Sequence, residues 1–157
     1  MKIDWKKLII CLVIPLAVGG LSALISGGMG EYLQLNRPPL SPPGWVFPIV
    51  WTILYLLMGY ASYLIVASGE NPREVRRALY LYGVQLALNF LWSIVFFGLG
   101  WRLVAFFVLI ALWIMIFLTF QAFSKINEQA GDLLLPYLLW VTFAAYLNFG
   151  TYLLNRR

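Results

Sequence analysis

Apolar positions run through this chain in long unbroken blocks. Five stretches, Leu8–Gly30, Pro38–Gly69, Ala78–Trp101, Leu103–Ser124 and Leu133–Asn155, contain no charged side chain. A hydrocarbon core of about 30 Å is crossed by roughly 20 apolar residues at helical rise. The pattern therefore predicts membrane-spanning helices near residues 6–29, 45–67, 75–98, 102–124 and 133–155, joined by the segments that hold the charges. A soluble helical domain would need a polar face on most of its helices, and these stretches have none. A β-barrel wall would alternate with a period of two, and the blocks are continuous. The expected fold is an all-α integral membrane protein, a five-transmembrane-helix bundle forming one domain over residues 1–157.

Charge adds an orientation. With five spans, Lys2, Lys6, Lys7, Arg73, Arg76, Arg77 and Lys125 share one face, whereas Arg37, Arg102, Arg156 and Arg157 share the other. The positive-inside rule then predicts a cytoplasmic N-terminus in the cell membrane, with the loop Glu31–Gly44 outside. The first apolar run is longer than a signal-peptide core and lacks a small-residue cleavage site, so it is expected to stay as a span. The net charge of +5 reads as topology signal and contact with anionic lipid. No basic patch of the kind that tracks a phosphate backbone is present, so no nucleic-acid partner is expected.

The missing residue types narrow the chemistry. The sequence has no histidine and a single cysteine, Cys11, in the first apolar run. That removes the commonest general base and metal ligand and any intrachain disulfide. Asp4, Glu31, Glu70, Glu74, Glu128 and Asp132 all lie in a tail or loop, so neither a carboxylate pair nor an intramembrane proton relay is expected. No metal and no required cofactor are expected, and Cys11 reads as a small apolar filler.

Aromatic residues are in excess: seven Trp, nine Tyr and eleven Phe. Trp5, Trp45 and Trp101 fall at span ends, where an interfacial belt accounts for them. Trp51, Trp92, Trp113 and Trp140 lie deeper, where an indole N–H needs a partner. Trp51, Tyr55 and Met58 share one helix face, as do Gln85, Asn89, Trp92 and Phe96, and Tyr137, Trp140, Ala144 and Asn148. Flat rings with a few amides and hydroxyls suit a pocket for a large, flat, mostly apolar molecule. The same amides could equally serve as hydrogen-bonding glue between helices, and spacing alone leaves both readings open.

The segment Glu31–Gly44 carries four prolines, Pro38, Pro39, Pro42 and Pro43, which bar regular structure from its second half. A stiff loop at a bundle mouth is suited to be a lid. Ser41 before Pro42 also resembles a capped helix start.

The run Pro42–Tyr55, continuing to Met58-Gly59-Tyr60, resembles the signature of the translocator protein family, also called tryptophan-rich sensory proteins or peripheral-type benzodiazepine receptors. The segments Gln85–Trp92 with Phe96-Phe97-Gly98, and Pro136–Trp140 with Leu147-Asn148, resemble that family's third- and fifth-helix motifs in order and spacing. The resemblance implies a homodimeric five-helix bundle with a ligand cavity under the first loop. It implies ligands such as protoporphyrin IX, isoquinoline carboxamides and benzodiazepines. By position, Trp51 and Trp140 match tryptophans assigned to the cavity and to light-dependent porphyrin breakdown, Asn89 and Trp92 match pocket residues, and Ala144 matches a small residue whose size affects binding. The expected ligand-binding set is Tyr32, Pro42, Trp51, Tyr55, Asn89, Trp92, Trp140, Ala144, Leu147 and Asn148, with Trp51 and Trp140 as the reactive pair. The family's sterol element is incomplete here: Phe149 follows Asn148, and a match survives only through Leu147, Tyr152 and Arg156.

Three function classes follow. A receptor needs the pocket and the lid. A transporter of porphyrins or sterol-like lipids needs alternating access, and no inverted repeat is visible in five spans. A photo-oxidative porphyrin-degrading enzyme needs deep indoles beside the macrocycle, since no conventional acid, base or metal is in place.

Overall fold

The computed structural model describes residues 2–156. Arg157, counted above among the basic residues of one face, lies outside the described residues. The elements are α1 (Trp5–Ser26), α2 (Gly30–Gln34), α3 (Val46–Val66), α4 (Pro72–Ser93, continuing as a π-helical turn over Ile94–Gly98), α5 (Arg102–Ile126), α6 (Glu128–Asp132) and α7 (Leu135–Asn155). Five segments are long and apolar enough to cross a membrane: α1, α3, α4 with its π turn, α5, and α6 with α7.

Local chemistry sets the ends. The Asp4 carboxylate accepts from the Lys7 N–H at 3.2 Å and starts α1. Gly27 closes α1 at φ 81°, a left-handed conformation glycine adopts without penalty. The Asn71 side chain accepts from the Arg73 N–H at 2.9 Å, with Pro72 in the first turn of α4, where its missing N–H costs nothing.

Two expectations are corrected. The short helix α2 occupies the first half of the Glu31–Gly44 loop, ahead of its prolines. Ser41 does not cap a helix: its hydroxyl donates back to the Pro38 carbonyl at 2.7 Å, and α3 begins only at Val46. The reason is steric, because Pro43 disfavours helical ψ at Pro42, the position where the first turn after a Ser41 cap would begin.

The outer faces are apolar, as those of a soluble protein are not, and the mostly apolar interior holds a few polar groups. Gln85, Asn89, Thr119, Asn148 and Thr151 are buried, whereas Ile10, Val13, Ile14, Ile53, Val104, Phe107 and Ile114 are exposed on the outer faces. An apolar exterior around polar interior groups is stable where lipid is the solvent. On α5 the buried positions Ala105, Leu109, Leu112, Ile116, Thr119 and Phe123 step by three and four, making it a central strut between α4 and α7. Helix α1 meets α3 at Gly59, where an added Cβ would lie 2.7 Å from the Cys11 carbonyl oxygen. Cys11 is buried there as a small filler of the seam.

The helices alternate in direction, and tertiary bonds tie both ends. At one end the Asp4 N–H donates to the Tyr63 hydroxyl at 2.9 Å. At the other, Arg102 meets Glu31 at 3.4 Å, and Asn36 exchanges hydrogen bonds with Asn155.

Candidate functional site

Four elements contribute to one aromatic wall inside the bundle, at the end covered by the Glu31–Gly44 loop. Trp51 of α3 lies 5.6 Å from Tyr55 and 6.1 Å from Trp92 of α4, between ring centroids. Trp92 stacks on Phe96 at 5.3 Å and 25°, and Phe96 meets Phe97 edge-on at 4.8 Å. The π turn delivers these last two rings: its Leu99 N–H reaches back to the Ile94 carbonyl at 2.9 Å. The extra residue changes the direction of the side chains that follow it. Tyr32 of α2 packs against Phe47, Phe96 and Phe97 at 5.8, 5.5 and 5.6 Å, and Phe47 in turn contacts Trp140 of α7 at 6.0 Å.

The wall separates two voids. Between α3, α4 and α7, where the sequence places the ligand, the space is about 20 Å³, lined by Tyr32, Trp51, Trp92, Trp140, Ala144, Leu147 and Asn148 among others. That is room for about one water. On the other side, between α1, α3 and α4, lies a cavity of about 290 Å³. Its walls include Gly19, Ser22, Ser26, Trp51, Tyr55, Asn89, Trp92 and Ser93. The larger cavity is at the lower edge of the ligand-pocket range. The rings of Trp51, Trp92 and Phe96 fill the centre between α3, α4 and α7, and the cavity of about 290 Å³ lies on the α1 side of them. A Cβ at Gly19 would overlap the Tyr55 ring, so this glycine shapes the cavity floor.

The buried amides are claimed by protein partners. The Tyr137 hydroxyl donates to Gln85 Oε1 at 2.7 Å and accepts from Asn89 Nδ2 at 2.7 Å, and the Tyr55 hydroxyl donates to Asn89 Oδ1 at 3.2 Å. Trp92 Nε1 donates to Asn148 Oδ1 at 2.9 Å, and Asn148 Nδ2 donates to the Arg102 carbonyl at 2.8 Å. Of the two readings open for Gln85, Asn89 and Asn148, the structure realises interhelical bonding for all three. Asn89 also borders the larger cavity. Trp113 Nε1 finds Thr142 at 2.8 Å, whereas Trp140 Nε1 is buried without a partner among the described residues.

The loop is strapped over this end. Asn36 N–H donates to Asn155 Oδ1 at 3.1 Å, Asn155 Nδ2 donates to the Asn36 carbonyl at 2.7 Å, and the Tyr146 hydroxyl donates to the Pro39 carbonyl at 2.7 Å. All three fix the loop to α7. Arg37 braces it internally, donating to the Pro42 carbonyl at 3.2 Å, with its guanidinium 5.5 Å from the Tyr32 ring centre. Leu40 holds a left-handed φ of 72°. Burial raises the Tyr32 phenol above its ordinary value, with Arg37 as the main opposing influence, so the ring sits under the loop as a neutral hydroxyl.

Of the expected site residues, Tyr32, Trp51, Trp92, Trp140, Ala144, Leu147 and Asn148 meet at the small void, and Trp51, Tyr55, Asn89 and Trp92 at the larger one. Pro42 lines neither and acts within the loop. Sequence reasoning missed Ser22, Ser26 and Ser93: the Ser26 hydroxyl bonds to the Ser22 carbonyl and lies 3.3 Å from that of Ser93. Gly19, Ser22 and Ser26, spaced three and four apart in an apolar run, were the signal. Among the described residues, no group of three or more His, Cys, Asp or Glu side chains is placed to hold a metal.

Comparison with known proteins gives a consistent picture. The model of the TspO/MBR family matches residues 11–153. The tryptophan-rich protein TspO of Chlorobaculum tepidum is 41% identical over 150 residues, covering 94% of this chain and 95% of that protein. The tryptophan-rich sensory protein of Cereibacter sphaeroides is 39% identical over 155 residues, covering 99% and 95%. The translocator protein of Bos taurus is 37% identical over 155 residues, covering 95% and 90%.

Proposed function

Because the chain belongs to the TspO/MBR family, we propose that this integral membrane protein is a receptor for flat, mostly apolar molecules, bound against the aromatic wall beneath the strapped loop. The ligand class is tetrapyrroles, protoporphyrin IX first, together with isoquinoline carboxamide and benzodiazepine-type compounds. One observation carries the reading: in the row of rings Tyr55, Trp51, Trp92 and Phe96, the two central indoles border open space on one side and a minimal void on the other. Ring faces favour a flat π-system over an aliphatic one of equal size. The larger cavity admits part of such a ligand as it stands. Full entry of a macrocycle requires the Trp51 and Trp92 rings to move out of the centre, merging the two voids.

A tetrapyrrole held here is in reach of oxidisable indoles and of no histidine. On this reading light and oxygen drive porphyrin loss through Trp51 and Trp140, which both line the small void. The protein acts as a homodimer through the outer face of α4, where Gly83 and Ala87 leave room for a close helix approach. A receptor is preferred to a transporter because the straps fix one loop over one end, and alternating access needs a second gate.

The test is titration of the purified protein in detergent with protoporphyrin IX, following tryptophan fluorescence. Saturable quenching is expected, weakened by Trp92→Leu. Absence of saturable quenching would overturn the proposal.

A further inference from the structure

The first side chain of α5, Arg102, lies beneath the loop, and the receptor reading gives it no role. Its side chain is only 10% exposed, and its one counter-charge among the described residues, Glu31 at 3.4 Å, is 69% exposed. Only Nη2 makes that contact, and Nε is buried with no partner among the described residues. The guanidinium lies 5.3 Å from the Phe96 ring centre, so it caps the stack that runs through Phe96 and Trp92 to Trp51.

A buried guanidinium with one exposed, monodentate partner is an unsatisfied charge, and leaving it so is costly. The Nε–H and Nη2–H of an arginine form a parallel fork matched to the two oxygens of a carboxylate. Glu31 occupies one prong and leaves the other free. We propose that Arg102 anchors a carboxylate on the edge of the flat ligand, so that this receptor prefers acidic aromatic macrocycles to their neutral counterparts. The inference rests on the receptor reading above. Aromatic rings read the face of the ligand, and Arg102 reads its acidic rim. Glu31 then acts as a stand-in carboxylate that the ligand displaces.

The experiment compares protoporphyrin IX with its dimethyl ester, which keeps the ring and removes both charges. The parent protein should bind the free acid roughly 10- to 100-fold more tightly, the range expected for a charge-assisted hydrogen-bonded pair. Arg102→Gln should lose that preference by weakening the acid alone. Its unchanged affinity for the ester reports an intact fold, and the Asn148 bond goes to the Arg102 backbone carbonyl, which the substitution keeps. Glu31→Gln should strengthen binding of the acid and leave the ester unaffected. Equal affinity of the parent for acid and ester, or an acid preference retained in Arg102→Gln, would overturn the proposal while leaving the receptor standing. Failure of the parent to bind either compound would overturn the receptor reading and this inference with it.

Discussion

Replacing Tyr137 with Phe deletes one oxygen and strands two amides. In the parent that oxygen donates to Gln85 and accepts from Asn89, both at 2.7 Å, and all three side chains are buried. Interhelical hydrogen bonds in membrane proteins average about 0.6 kcal/mol and reach about 1.7, so two lost bonds cost roughly 1.2–3.4 kcal/mol. Tyr55→Phe is the internal control. It removes a single, longer bond at 3.2 Å, and Asn89 keeps its contact with Tyr137, so the loss should stay near 0.6 kcal/mol on the same scale. Reversible unfolding by denaturing detergent in mixed micelles measures both. If the amides are structural glue, Tyr137→Phe is the more destabilised variant, and its ligand affinity, measured where it remains folded, stays close to the parent's. A smaller loss for Tyr137→Phe than for Tyr55→Phe, or a selective loss of ligand binding with stability intact, would refute the reasoning and return Asn89 and Gln85 to ligand recognition.

The double change Trp51→Phe with Trp140→Phe should retain most porphyrin binding yet abolish light-driven loss of the porphyrin absorption band, which in the parent should require oxygen; absorption spectra under illumination, aerobic and anaerobic, decide this, and degradation at the parent rate would make both indoles structural. Ala144→Phe inserts a ring where the void is about 20 Å³, so it should weaken several ligands and cost about 1–3 kcal/mol of stability, read by ligand titration and by unfolding. Pro42→Gly with Pro43→Gly should speed ligand release in stopped-flow displacement by raising the ordering cost of the closed loop, and Asn155→Ala, which cuts two of the straps to α7, should do the same; equal off-rates in both would reduce the loop to a connector.

Much of the site was legible in the sequence because helical spacing is a local property. Once a run such as Tyr137-Trp140-Ala144-Asn148 is helical, its members share a face whatever surrounds them. The π turn was not legible: Ile94–Gly98 has the composition of ordinary helix, and nothing in that run marks the extra residue that turns Phe96 and Phe97 into the wall. The fate of the amides was equally hidden. Whether Asn89 faces a ligand or Tyr137 depends on the register of α4 against α7, and residues 48 apart in sequence meet only after packing.

What the sequence alone determined is the class of solvent, the number of spans and the stiffness of the loop. These follow from transfer free energy and backbone sterics, which act residue by residue. The tertiary structure decided where empty space remains. Large rings pack closely wherever helices allow, so Trp51, Trp92 and Phe96 closed the centre between α3, α4 and α7, and a cavity of about 290 Å³ remains beside α1. It also decided that Arg102, a residue whose place at a span end reads as a topology charge, is folded under the loop with one prong of its fork unused. A cavity is the residue of many packing choices made at once, and no single stretch of chain encodes it.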